Sequence, residues 1–139
     1  MSAAIYRIYV CLVLEKNNTV LLSKRLNTGW MDGFWHIPGG GLEENESLIH
    51  AVTREAKEEL DVDVDPADVK LLYILHLNKQ TLGFYFITTK WQGEPKNNEP
   101  NECSEVAWFS MDQLPEEMSP FAQRVIEGRK SGKNYFYIE

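Results

Sequence analysis

The chain has 139 residues, 43% hydrophobic and 25% charged, with a formal net charge of −7. This is the size and balance of one globular domain that buries its own core, which excludes fibrous and disordered classes. No stretch approaches the roughly 18 uninterrupted apolar residues of a membrane span, and an acidic chain is poorly suited to broad binding of a DNA backbone.

Cys11 and Cys103 stand far apart, outside any paired zinc or redox spacing, so a reduced cytoplasmic setting is expected. The apolar run 8–14 is preceded by Arg7 and followed by no small-residue cleavage site, so it reads as a strand and not a signal. Segments 5–15 and 19–25 form a predicted hairpin around Asn17-Asn18. Segment 27–41 carries five glycines and Pro38, a loop in which backbone can approach a ligand closely.

Residues 47–60 predict a helix, with Asn45 or Ser47 as cap and Ile49, Val52, Ala56 and Leu60 on the core stripe. Segments 69–77 and 82–91 predict a second hairpin, followed by a polar loop at 92–101. A short strand at 105–110 and a helix at 120–129, ending near Gly132, complete the chain. Neither a repeat nor a linker interrupts it, so one domain over 1–139 is expected.

Successive helical residues advance by about 100°, so Glu55, Glu58 and Glu59 share a face beside the apolar stripe. Like charges at these spacings destabilise a helix by a few tenths of a kcal/mol per pair unless a cation sits among them. A hard divalent ion is one answer. A solvated acidic face decorated by Arg54 and Lys57 is the other, and the helix alone does not separate them.

The wider spacing does. Segment 40–62, GGLEENESLIHAVTREAKEELDV, resembles the Nudix box, G-x5-E-x7-R-E-U-x-E-E-x-G-U with U bulky aliphatic. Gly40, Glu46, Arg54, Glu55, Glu58, Glu59 and Val62 fall in register, and six fixed residues would match somewhere in a chain of this length in ~1 of 10,000 cases. Ala56 is smaller than the usual aliphatic. Asp61 replaces the usual glycine, where a left-handed backbone is expected.

The resemblance implies a Nudix fold of MutT-like type. This is an α+β, α/β/α sandwich with a mixed central sheet and a loop-helix-loop catalytic motif. It implies Mg²⁺, or Mn²⁺, bound by Glu55, Glu58, Glu59 and the carbonyl of Gly40, with Glu46 and Arg54 as scaffold.

Many relatives place a further glutamate on a later loop. Glu99 is the best positional match, Glu102 and Glu94 are rivals, and Glu55 is the alternative water-activating base. Lys24 and Arg25 fall where basic residues meet nucleotide, with Arg25 preferred and Lys79 read as a surface charge. Trp30 and Ile37 complete the expected substrate contacts, while Phe34 and Trp35 are further aromatics near the site. His36 is read as structural, and His50 and His76 lack a second histidine at ligand spacing.

The resemblance extends to the WF-x-x-x-x-LP segment at 108–115. Met118 stands near the position of a base-reading asparagine, so no base is assigned. The expected partner is a small nucleotide, with no membrane or DNA, and the chain as monomer or homodimer. Hydrolysis of a (d)NTP to (d)NMP and pyrophosphate leads. A nucleotide sugar, dinucleoside polyphosphate or capped RNA is the second class of substrate, and a non-catalytic ligand-binding module is the third reading.

Overall fold

The computed structural model describes residues 2–139 and forms a mixed sheet clasped between two helices. The first hairpin joins β1 (Arg7–Lys16) to β2 (Thr19–Arg25). Asn17 and Asn18 make its turn with φ of 52° and 61°, a pair of left-handed residues that matches the twist of the flanking strands.

The glycine loop contains two short strands that its composition concealed, β3 (Trp35–His36) and β4 (Gly39–Gly41). They are followed by α1 (Leu48–Leu60), β5 (Lys70–Leu77), β6 (Thr81–Thr88), β7 (Cys103–Ser110), α2 (Pro120–Ser131) and β8 (Tyr135–Ile138). Strand order is β3-β2-β1-β6-β5-β8, with β4 beside β1 and β7 beside β2. The second hairpin strand stops at Thr88, short of the expected 91, and β8 had no counterpart in the sequence reading.

β1 is the axis of the fold. It runs parallel to β6 from Arg7↔Thr81 to Leu14↔Thr88 and antiparallel to β2 and β4. Its uninterrupted apolar run serves two layers, because alternate side chains leave opposite faces of a strand. Val10, Leu12 and Leu14 join Ala51, Val52, Ala56 and Leu60 of α1 in one core. Cys11 and Val13 join Ala122, Val125 and Ile126 of α2 in the other.

Helix α1 starts where Ser47 accepts a hydrogen bond from the His50 N–H at 3.1 Å, which settles the cap in favour of Ser47 over Asn45. It ends at Asp61, whose backbone is left-handed (φ 56°, ψ 41°) as the motif requires of a glycine. Lys57 and Lys96 flank the Asp61 carboxylate at 3.2 and 3.4 Å. The non-glycine C-cap therefore carries local charge pairs that a glycine would lack.

His36 on β3 is buried, and its Nδ1 has no hydrogen-bond partner. Burial is the main cause, with the nearby Arg25 charge second, and together they hold the imidazole neutral down to about 3. Because the folded value lies below the ordinary 6.5, this group favours the fold above pH 6.5. The contribution is lost as pH falls from 6.5 toward 3. His36→Phe is expected to flatten that limb, read as the difference between wild-type and variant urea midpoints from pH 7 to 4. Parallel curves would show that the ring accepts a proton in the folded state.

Candidate active site

The acidic turn of α1 is organised by one guanidinium. Arg54 grips Glu46 with two donors, Nε to Oε2 at 2.6 Å and Nη2 to Oε1 at 3.0 Å, a fork that suits a planar carboxylate. Nη2 also donates to the Gly41 carbonyl at 3.2 Å. Nη1 donates to Glu55 Oε1 at 3.0 Å and Glu58 Oε2 at 3.2 Å. Arg54 thereby ties the glycine loop to the helix, and its hydrogen bonds hold the Glu46 carboxyl down at about 2.

The same contacts engage one oxygen of Glu55 and one of Glu58. Gly40 lies against this cluster so closely that a Cβ added there would sit 2.5 Å from Glu55 Oε1. Only glycine brings the backbone this near the acids.

Glu59 differs from its neighbours. Its carboxyl is largely enclosed, Oε1 has no hydrogen-bond partner, and burial pushes its protonation well above the usual carboxylate range. Glu55 and Glu99 push in the same direction, and Arg25 opposes them. A buried, unpartnered acid facing other acids is costly as an anion unless a positive charge joins it.

Glu99 arrives from the polar loop after β6. That loop is docked on the end of α1 by Lys96 N–H to the Leu60 carbonyl (3.1 Å), Asn98 N–H to the Glu59 carbonyl (2.9 Å) and Asn98 Nδ2 to the Glu58 carbonyl (3.1 Å). These donors satisfy carbonyls that a helix end leaves orphaned. Asn97 Oδ1 then accepts from the Glu99 N–H at 3.1 Å, fixing the residue beside the helix. Burial first, then Glu102, raises the Glu99 carboxyl.

The result is a cleft of about 460 Å³ lined by Gly40, Glu55, Glu58, Glu59, Glu99 and Arg25, among others. Glu102 also lines it, whereas Glu94 does not. Asn27 and Thr28 line it too and escaped the sequence reading, since nothing in a turn-rich segment shows which polar residue faces a ligand. Among the described residues no three acids meet in a ready-made coordination shell. The donor chemistry nevertheless fits a hard divalent cation, with all-oxygen donors and an orphaned buried carboxylate oxygen among them.

Other expected substrate residues lie elsewhere. Neighbours on a strand point to opposite faces, so Arg25 lines the cleft while Lys24 sits over the Trp35 ring and pairs with Glu117 at 3.9 Å. Ile37 is 1% exposed and its side chain belongs to the core, as does that of Met118. Trp30 borders a second recess of about 410 Å³, which shares Arg25, Gly39 and Gly40 with the cleft and is further lined by Tyr9, Cys11 and His36. Arg25 lies over the Trp30 ring at 4.9 Å and donates from Nε to its carbonyl at 2.7 Å, while Phe121 stacks on the same ring. Trp30 thus positions Arg25.

A sequence profile of the NUDIX domain matches residues 5–128. The 8-oxo-dGTP diphosphatase of Proteus vulgaris is 34% identical over 84 residues, covering 59% of this chain and 74% of that one. The 8-oxo-dGTP diphosphatase of Escherichia coli (strain K12) is 28% identical over 118 residues, covering 82% and 91%. The crystal structure of a MutT NUDIX hydrolase from Burkholderia pseudomallei aligns with a TM-score of 0.81 at 25% identity, over 88% of this chain and 97% of that one. With the profile spanning most of its length and the same architecture in a solved structure, the chain belongs to the NUDIX domain family.

Proposed function

We propose that the chain is a divalent-metal-dependent hydrolase that splits a nucleoside triphosphate into the monophosphate and pyrophosphate. The observation that carries this is the convergence of Glu55, Glu58, Glu59 and Glu99 on one cleft whose rim holds Arg25. Curated relatives named as diphosphatases of 8-oxo-dGTP support the reaction class and make that nucleotide the first substrate to test.

Glu55, Glu58 and Glu59, with the Gly40 carbonyl, would hold Mg²⁺ or Mn²⁺. Such an ion supplies charge neutralisation of the phosphate oxygens and polarises water. The chain's own residues do the rest. Arg25 pairs with a phosphate and is held in place by Trp30. Glu99 takes the proton of the attacking water, a role suited to a raised carboxyl within reach of the cleft. Glu55 is the weaker candidate for that role because Arg54 donates to one of its oxygens. The second recess, contiguous with the cleft through Arg25 and Gly40, receives the nucleobase.

A Mg²⁺-dependent assay with phosphate and pyrophosphate measured separately tests the assignment. Its panel covers normal and oxidised dNTPs, nucleotide sugars, dinucleoside polyphosphates and capped RNA. Pyrophosphate from a triphosphate is expected. Cleavage only of the other compounds would move the chain to a different diphosphate substrate, and cleavage of nothing would leave a binding module.

Two substitutions separate chemistry from scaffolding. Glu59→Gln is expected to lower kcat by about 100-fold or more, to abolish the Mg²⁺-induced rise in Tm, and to leave the metal-free Tm equal or higher. The last effect follows because Gln relieves a buried carboxylate that burial and its acidic neighbours disfavour as an anion. Arg54→Ala is expected to lower both the metal-free Tm, by several degrees, and kcat, by about 10- to 100-fold, since loop and ligands lose one shared anchor. Thermal melts with and without MgCl₂ beside steady-state kinetics read both.

A further inference from the structure

Strand β8 lies at an open end of the sheet, hydrogen-bonded to β5 alone among the described strands. Tyr135, Phe136 and Tyr137 are 53%, 38% and 44% exposed, three consecutive large aromatics on an edge that proteins normally blunt with charge or proline. Their side chains are held in place. The Tyr135 hydroxyl lies 3.3 Å from His76 Nδ1, the Tyr137 ring packs 4.7 Å from the His76 ring, and Arg124 of α2 lies 3.6 Å over Phe136 on the opposite face.

The backbone direction follows from one contact. The Asn134 carbonyl accepts from the Ile74 N–H at 2.9 Å, so the N–H and C=O groups of 134, 136 and 138 turn toward β5. Those of Tyr135 and Tyr137 therefore point off the edge, where a further strand would bond them.

We propose that β8 is the interface of a homodimer in which two copies pair antiparallel about a two-fold axis centred on Phe136, joining their sheets edge to edge. A two-fold normal to the sheet keeps each side chain on its face, so only residues of equal parity can stand opposite each other. Of the registers this allows, centring on Phe136 sets Tyr135 against Tyr137 of the second copy in a hydrogen-bonded pair and the two Phe136 rings together. It also sets Lys133 against Glu139 at both ends. Aromatic and opposite-charge cross-strand pairs are the stabilising ones. Shifting the centre to Tyr135 or Tyr137 breaks both charge pairs.

That sequence complementarity selects a second copy over an unrelated strand. The contact is short, below the ~1,600 Å² of a standard interface, so a dissociation constant on the order of 10 μM is expected.

Sedimentation equilibrium of the full chain from about 1 to 200 μM, at about 50 mM salt to limit screening, tests the proposal. Lys133→Glu and Glu139→Lys each place like charges opposite one another at both ends. Each is expected to raise the dissociation constant about 10-fold or more, and the double swap to restore it to within about 3-fold. Tyr137→Pro removes an outward N–H without touching the bonds to β5, and is expected to abolish the dimer with an unchanged circular dichroism spectrum. A chain that stays monomeric to 200 μM overturns the proposal, as does a dimer indifferent to both single reversals or not recovered by the double swap.

Discussion

The Arg54 guanidinium is the contact on which the rest of the site depends. Four glutamates crowd the start and outer face of one helix, and at ordinary pH their mutual repulsion opposes the folding that gathers them. Arg54 answers with a bidentate grip on Glu46, single bonds to Glu55 and Glu58, and one to the Gly41 carbonyl. The same group therefore makes the acidic turn foldable and fixes the glycine loop against it. Glu59 lies outside that grip and stays buried, raised and unpartnered. Stability is concentrated on the scaffold side of the cluster and strain on the side facing the cleft, the division expected where function and folding compete for the same helix.

The elements with strong periodicity were legible in the sequence. The α1 stripe, the Asn17-Asn18 turn and the two hairpins followed from residue pattern, and the left-handed backbone at Asp61 followed from the motif. The glycine segment 27–41 was harder, because β3 and β4 are two and three residues long and glycine carries no pattern of its own. They exist because β1 and β2 offer free edges there. β8 was missed for a related reason. Its four residues pair with a distant β5 strand, and no local signal announces so distant a partner.

At the site, sequence pattern reached the residues of one helix and faltered on those set by tertiary contact. The face shared by Glu55, Glu58 and Glu59 follows from helical geometry. The position of Glu99 beside them depends on three loop donors meeting the last carbonyls of α1, a docking that spacing along the chain does not reveal. Lys24 and Arg25 looked equivalent in the sequence, yet strand alternation sends one to the cleft and the other to Trp35 and Glu117. Ile37 sat beside the glycines in sequence, but the sheet turns its side chain into the core.

The parallel pairing of β1 with β6 has a consequence for biosynthesis. β1 is among the first segments to leave the ribosome, but its longest partner spans Thr81–Thr88 and follows only after the whole catalytic motif has been made. Until then an apolar strand with faces meant for two cores has only β2 and β4 beside it. Pairings this distant along a chain form slowly, and the exposed intermediate is prone to association. The nascent protein thus carries its acidic helix before it has a completed sheet to brace it, which makes the interval of synthesis between β1 and β6 the period in which this chain most needs a chaperone.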